Sequence, residues 1–294
     1  VACYAPLKAY KGPGGIKFNS REGYSDMPLR LKCGQCRGCR LDRKRAWAIR
    51  CVHESQMHEK NSFLTLTYDD EHLPEDRGLD VSHWQNFAKK LRRQMGPFRF
   101  MHCGEYGEKG LRPHYHALIF GLDFAEDSAP IRRGNDKHAL RVSADLLDIW
   151  DKGFHTVGKV SFDSAAYVAS YTMKKVTGKA QETAYERVDP ETGECWSVRP
   201  EYATMSRNPG LGATWFDEFA GDVYPGNFVV MKGQKFQPPS FYDNRLKGSN
   251  PEMWKKMMDS RKKNVRSNEW NMSDERLEIR EQVAFAKEHN RGEF

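Results

Sequence analysis

The stretch Arg112-Pro113-His114-Tyr115-His116-Ala117-Leu118-Ile119-Phe120-Gly121 reads as a β-strand. Side chains two apart on a strand point to one face, so His114 and His116 look the same way and Leu118 and Phe120 continue their row. Two imidazoles side by side open a metal site; the plain alternative is a pair of half-buried histidines. Just upstream, residues 98–103 read as a second strand, and Gly104-Glu105-Tyr106-Gly107-Glu108-Lys109-Gly110 as the turn that joins the two into a hairpin. The hairpin brings Glu105 near His114. A carboxylate added to two imidazoles makes a site for Mg²⁺ or Mn²⁺, with positions left for phosphate oxygens and water. His102 and Glu108 are rival third ligands, and the same donor set suits Zn²⁺.

The second decisive stretch is Tyr167-Val168-Ala169-Ser170-Tyr171-Thr172-Met173-Lys174-Lys175, which reads as a helix capped by Asp163 or Ser164 and stopped by Gly178. Residues four apart share a helix face, so Tyr167 and Tyr171 stack one turn apart with Lys174 and Lys175 on the next turn. Ala165, Val168, Thr172 and Val176 form the stripe expected to face the sheet. Tyr167, Tyr171 and Lys174 lie off it, free to point over the sheet edge toward the histidines. Two tyrosines at this spacing are ordinarily packing or surface residues. Beside a metal-ligand strand they suggest a device for cutting and holding a phosphodiester.

The remaining sequence frames this pair. The chain has 294 residues, enough for one substantial core or two modest ones. Its net charge of +7 is too small an excess for a histone-like coat on DNA. The positive charge is clustered: Arg40, Arg43 and Lys44 lie in a basic run from 30 to 50, and Lys89, Lys90, Arg92 and Arg93 form a second. Interleaved with Trp47 and Trp84, these runs suit a phosphate backbone and stacked bases; each also fits a solvated helix face. No window is apolar enough to span a membrane. The start, Val1-Ala2-Cys3-Tyr4-Ala5-Pro6, lacks the apolar run of a secretory leader, which points to a cytoplasmic protein.

Seven cysteines, an odd number, with Cys33-x-x-Cys36-x-x-Cys39 at their centre, favour thiolates on a metal over disulfides. Structural Zn²⁺ takes four ligands. Cys3, on an otherwise untethered arm, is the favoured fourth, with Cys51, His53 and His58 as rivals. Cys51 falls on the buried stripe of a helix over about 41–59, where a small apolar core residue is expected. Free thiols, or a redox or iron–sulfur centre, are the alternatives.

In chain order, 1–32 reads as an extended arm with one or two short strands, 62–68 as a strand, and Ser82-x-x-Gln85 as a capping box opening a helix that ends at Gly96-Pro97. Residues 123–142 read as a loop, 143–150 as a helix with Leu146, Leu147, Ile149 and Trp150 in the core, and 155–160 as a strand. Two β-like runs follow, 183–188 and 194–199, then an irregular segment over 207–242. The resulting fold class is α+β, an antiparallel sheet covered on one side by helices. The expected divisions are 1–60 (arm, cysteine cluster and basic helix), 61–180 (the core), 181–249 (an irregular or β extension) and 250–294 (a charged helical tail).

The chain resembles the HUH endonucleases that initiate rolling-circle replication, and more narrowly the replication initiators of microviruses of the gokushovirus type. The resemblance rests on Phe63-Leu64-Thr65-Leu66-Thr67-Tyr68, on His114-Tyr115-His116 and on Tyr167-x-x-x-Tyr171-x-x-Lys174-Lys175; the cysteine cluster and Met205-Ser206-Arg207-Asn208-Pro209-Gly210 narrow it to the phages. It covers residues 1 to about 245. It implies a ferredoxin-like core, a divalent metal at Glu105, His114 and His116, and a cysteine at position 3 completing a Zn²⁺ site. It further implies a tyrosine nucleophile leaving a 5′-phosphotyrosine and a 3′-hydroxyl that primes a DNA polymerase, with Lys174 stabilising the anion or adduct and Lys175 on the DNA. The implied substrate is single-stranded DNA at a replication origin, in the cytoplasm of a bacterial host. No Walker-type phosphate loop is present, so unwinding falls to a host helicase. Two other classes fit the residues: a zinc-containing single-stranded nucleic-acid binding protein without chemistry, and a metal phosphoesterase that uses water and forms no covalent intermediate.

Overall fold

In the computed structural model the described residues are 3–107, 110–124, 126–131, 140–174, 184–189 and 192–291, the side chains of 172–174, 269 and 287–291 excepted. The chain divides into two compact units, Val1–Arg45 with Asp243–Phe294, and Ala46–Tyr242.

In the smaller unit, β1 (Leu7–Gly12) pairs antiparallel with β2 (Gly15–Lys17) and β3 (Pro28–Leu31). The β1–β2 turn has Gly14 and Gly15 at φ of 75° and 126°, a conformation that side chains with a Cβ resist. The cysteine-rich loop then runs into α1 (Arg37–Gln56). The end of the chain adds helices Pro251–Ser267 and Asp274–Arg291. Asn250 caps the first of these, accepting from the Met253 N–H at 3.0 Å, with Pro251 in the first turn where its missing N–H costs nothing. Within this unit Arg30 donates to the Met272 carbonyl and pairs with Asp274, and the Arg37 guanidinium lies 4.9 Å above the Phe285 ring.

The larger unit is built on one sheet. Its elements are β4 (Asn61–Tyr68), α2 (Val81–Met95), β5 (Arg99–Tyr106), β6 (Pro113–Phe120), β7 (Ser128–Pro130), β8 (Arg141–Ser143), α3 (Ala144–Ile149), β9 (Gly153–Gly158), α4 (Phe162–Lys174), β10 (Glu186–Val188), β11 (Cys195–Ser197), β12 (Tyr202–Met205) and α5 (Ala213–Val223). The seven-stranded order is β12-β5-β6-β4-β9-β8-β7, and neighbours run antiparallel. Its centre, β9-β4-β6-β5, has the ferredoxin-like arrangement of a split β-α-β unit closed by a hairpin. The α+β class and the flanked antiparallel sheet are as the sequence implies.

Helices cover both faces of this sheet rather than one side. On one face Leu64, Leu66, Tyr115, Ala117 and Ile119 meet Trp84, Phe87 and Leu91 of α2 and Leu146 and Ile149 of α3. On the other, Met101, Cys103, Leu118 and Phe120 meet Ala48 and Cys51 of α1 and Ala165, Val168 and Ala169 of α4. The reason lies in β6, whose 117–120 run is apolar at both parities, so each face must be covered.

Local chemistry shifts several boundaries. Asp80, not Ser82, caps α2, accepting from the Ser82 N–H at 2.7 Å. Ser161 caps α4 ahead of both expected residues, accepting from the Ser164 N–H at 3.1 Å, while the Ser164 hydroxyl accepts from the Ser161 N–H at 2.8 Å. Leu147 is 55% exposed and outside the core, because α3 is too short to turn it inward. The 123–142 segment contributes β7 and part of β8, and the 207–242 segment, which reads as irregular, contains α5. Val176 and Gly178 lie outside the described residues.

Candidate metal and tyrosine site

The β5–β6 register sets Glu105 opposite His114 and Cys103 opposite His116. Period-two alternation puts Glu105, His114 and His116 on the α4 face, and the Glu105 Oε1 atom lies 2.7 Å from His114 Nε2 and 2.6 Å from His116 Nε2. The other ring nitrogens are committed: His114 Nδ1 is 3.1 Å from the Arg112 carbonyl, and His116 Nδ1 is 2.9 Å from Thr65 Oγ1. A carbonyl only accepts, so His114 carries its proton on Nδ1 and, when neutral, turns a bare Nε2 toward the carboxylate. Two such lone pairs against one carboxylate oxygen repel unless a proton or a cation lies among them. The donor set therefore fits a cation, and all three ligand atoms lie within 4.8 Å of one another. Burial pushes the Glu105 carboxyl up, but hydrogen bonds from both histidines outweigh it and hold the group at about 2, ionised and ready to ligate.

Over this cluster stands α4. The Tyr167 hydroxyl donates to Glu105 Oε1 at 3.0 Å and lies 3.3 Å from His116 Nε2. The two tyrosine rings meet edge to face at 5.1 Å. They are not equivalent. Tyr167 is 41% exposed, whereas Tyr171 is 3% exposed and packed in the apolar layer with Ala165, Val168 and Ala169, on the very stripe that the sequence reading keeps it off. A helix turns 100° per residue, so 168 and 171 share a face; the aromatic body of Tyr171 is buried and its hydroxyl bonds to Tyr167. Burial raises both phenols above their ordinary value. For Tyr167 the hydrogen bond from Tyr171 works the other way and favours the anion, while for Tyr171 the same bond favours the protonated form.

The rivals for the third ligand separate cleanly. His102 points to the opposite face, stacked on Trp84 at 3.9 Å with Nδ1 on the Thr204 hydroxyl. Glu108 lies outside the described residues, as do Lys175 and the Lys174 side chain, whose backbone closes α4. Thr65 joins the site through its tie to His116, and Phe63 stacks on the same imidazole with centroids 5.7 Å apart. The sequence signal for both was their shared parity on β4.

In the smaller unit Cys3, Cys33, Cys36 and Cys39 have sulfurs within 4.8 Å of one another. Cys3 Sγ is 3.6 Å from Cys33 Sγ and 3.8 Å from Cys36 Sγ, close to the roughly 3.8 Å edge of a tetrahedron with 2.3 Å Zn–S bonds. Backbone N–H groups from Tyr4, Cys33 and Cys36 point at these sulfurs at 3.2–3.3 Å, as thiolates require. Burial raises the Cys36 thiol, yet the N–H groups of Cys39, Tyr4 and Ala5 more than offset it and bring it down to about 6. The rival fourth ligands are engaged in the other unit: Cys51 is buried with its sulfur 3.3 Å from Met101 Sδ, His53 bonds Tyr242 at 2.8 Å, and His58 lies 3.3 Å from Glu54. Among the basic candidates Arg40 is exposed, Arg43 is exposed and donates to the Gly34 carbonyl at 3.0 Å, and Lys44 is half-buried. In the larger unit, the 205–210 segment is held along β5, where Ser206 N–H donates to the Phe100 carbonyl and Arg99 reaches the carbonyls of Asn208 and Pro209.

Comparison with known proteins agrees with this layout. The family described as Replication-associated protein ORF2 matches residues 61–176, the span that holds both the histidine strand and the tyrosine helix. The chain is 32% identical over 266 residues to Replication-associated protein VP4 of Bdellovibrio phage phiMH2K, covering 86% of this chain and 79% of that one. It is 30% identical over 275 residues to Replication-associated protein ORF2 of Spiroplasma virus 4, covering 84% and 80%. Replication-associated protein ORF4 of Chlamydia phage 1 is 30% identical over 226 residues, covering 74% of this chain and 53% of its own. No solved structure matches. The chain belongs to the family of replication-associated proteins of microvirus-type phages. Among the described residues no helix is long and apolar enough to cross a membrane.

Proposed function

We propose that this protein nicks and rejoins single-stranded DNA at a phage replication origin, with Tyr167 as the first nucleophile. The observation that carries the reading is the position of the Tyr167 hydroxyl, 3.0 Å from Glu105 and 3.3 Å from His116, half open to solvent at the rim of a cation-fitting cluster. A spectator phenol has no reason to sit there.

Mg²⁺ or Mn²⁺ held by Glu105, His114 and His116 would supply Lewis-acid relief of the charge on a phosphate. The chain's own residues do the rest. Tyr167 Oη attacks phosphorus, the bond from phosphorus to the 3′ oxygen breaks, and the phenolic proton ends on that 3′ oxygen, directly or through solvent. The products are a 5′-phosphotyrosine and a 3′-hydroxyl that primes a host polymerase. The adduct keeps the energy of the broken ester, so the reverse step reseals the strand without ATP. Tyr171 donates to Tyr167 and favours its anion; once Tyr167 is esterified, Tyr171 is the reserve nucleophile for the second cut. Lys174 is the residue proposed to stabilise anion or adduct, and Arg40, Arg43, Lys44 and Lys175 to hold the strand. A host helicase opens the duplex. Zn²⁺ at the four cysteines would staple the N-terminal arm to the start of α1.

The test is incubation with single-stranded origin DNA and Mn²⁺, followed by a denaturing gel. A protease-sensitive DNA–protein band supports the proposal. Cleavage without that band assigns a water-using phosphoesterase, and binding without cleavage a non-catalytic binding protein.

A further inference from the structure

The second basic run does not act as one surface. Arg92 is folded back over Phe98 and Phe100, its guanidinium 4.4 Å and 5.7 Å from the ring centroids. Lys89, Lys90 and Arg93 instead line a concavity of about 430 Å³, joined by Lys152 from the turn between α3 and β9. His83 and Asn86 complete the α2 wall, and Phe87, Ile149 and Trp150 form the apolar floor. Lys90 is paired with Asp151 at 2.5 Å; Lys89, Arg93 and Lys152 form no ion pair among the described residues. A solvated helix face scatters its charges outward. Here cations from two elements converge on one hollow.

We propose that this groove binds the sugar–phosphate backbone of DNA, at a site distinct from the histidine–tyrosine centre. The wall residues 83, 86, 90 and 93 recur at helical spacing along one side of α2. From 83 to 93 the wall runs about 15 Å, the length of roughly four phosphates along one strand of B-DNA. A run of fixed positive charges along a groove matches a repeating polyanion better than a single carboxylate. The groove belongs to the α2–α3 layer, on the sheet face opposite His114 and His116. A strand lying in it is therefore not the stretch at the scissile phosphate. It is a second segment, held while the other face does chemistry. The inference rests on the reading of the protein as one that processes DNA. Phosphate recognition has a second possible source, a free nucleotide, which the experiment separates.

The variant is Lys89→Ala/Arg93→Ala/Lys152→Ala in the full chain, with folding checked by circular dichroism. Affinity for a fluorescent unstructured single-stranded oligonucleotide is measured against salt concentration, in parallel with ATP binding and with covalent adduct formation on a short origin oligonucleotide. Loss of three phosphate contacts makes the slope of log K against log salt about 2 units shallower, with adduct formation on the short substrate retained. Parallel salt lines for wild type and variant overturn the groove, even when the adduct forms. A shallower slope with no adduct in either protein leaves the groove standing and removes the nicking proposal. Loss of ATP binding with unchanged oligonucleotide binding assigns the groove to free nucleotides and overturns the DNA assignment.

Discussion

Removing each tyrosine hydroxyl in turn gives the sharpest test, because the structure makes the two phenols unequal. Tyr167→Phe deletes the atom placed against Glu105 and His116, and first-strand adduct formation should fall to background. Tyr171→Phe deletes only a hydroxyl: the ring still fills the layer beside Val168 and Ala169, so no cavity opens. What is lost is one hydrogen bond that favours the Tyr167 anion. A hydrogen bond of this kind contributes about 0.5–1.5 kcal/mol net, which converts to a roughly 2- to 10-fold slower first cut. The assay is single-turnover adduct formation on a labelled origin oligonucleotide, with aliquots resolved on a denaturing gel. The reversed result refutes the reasoning: Tyr171→Phe abolishing the first adduct while Tyr167→Phe retains it would mean that the buried phenol, not the exposed one, reaches phosphorus.

Three further outcomes follow from the same structure. Thr65→Val keeps the shape but removes the partner of His116 Nδ1 at 2.9 Å, and Mn²⁺ affinity by calorimetric titration should drop about 10- to 100-fold; equal affinities would show that the ring needs no such anchor. Cys39→Ser should abolish retained Zn²⁺ by colorimetric release and lower the first thermal transition by about 10 °C, as loss of a structural metal worth several kcal/mol implies. Burial lowers His102 and His53 from an ordinary 6.5 to about 3, so both stay neutral in the fold while the unfolded chain takes up protons below 6.5. Stability is therefore complete above pH 6.5 and declines as pH falls toward 3, by up to about 1.4 kcal/mol per pH unit for each histidine; urea midpoints that are flat between pH 7 and pH 5 would contradict it.

The parts of the site legible in the sequence are those governed by short periods. Alternation along a strand placed His114 and His116 on one face, and a seven-residue turn returned Glu105 to them; both relations are local. The three-cysteine spacing was legible for the same reason. Helix α4 was recognisable, but its rotation was not. Whether Tyr171 faces solvent or sheet depends on what lies beneath it, and that layer comes from β5, β6 and α1, far away in the chain. Helix α5 escaped notice because glycines and prolines surround it, while its buried Ala213 and Phe216 gain their environment only from tertiary contacts.

Residue type and spacing alone thus determined the α+β class, the Glu–His–His donor set, the paired tyrosines and the cysteine cluster, since each needs only the geometry of one strand, turn or helix. The packed structure decided the inequality of the two phenols, the exclusion of His102, the covering of both sheet faces and the gathering of Lys89, Lys90 and Arg93 with Lys152. Each of these depends on which distant segment lies opposite, and burial and electrostatic environment are properties of that assembly rather than of any local run of residues.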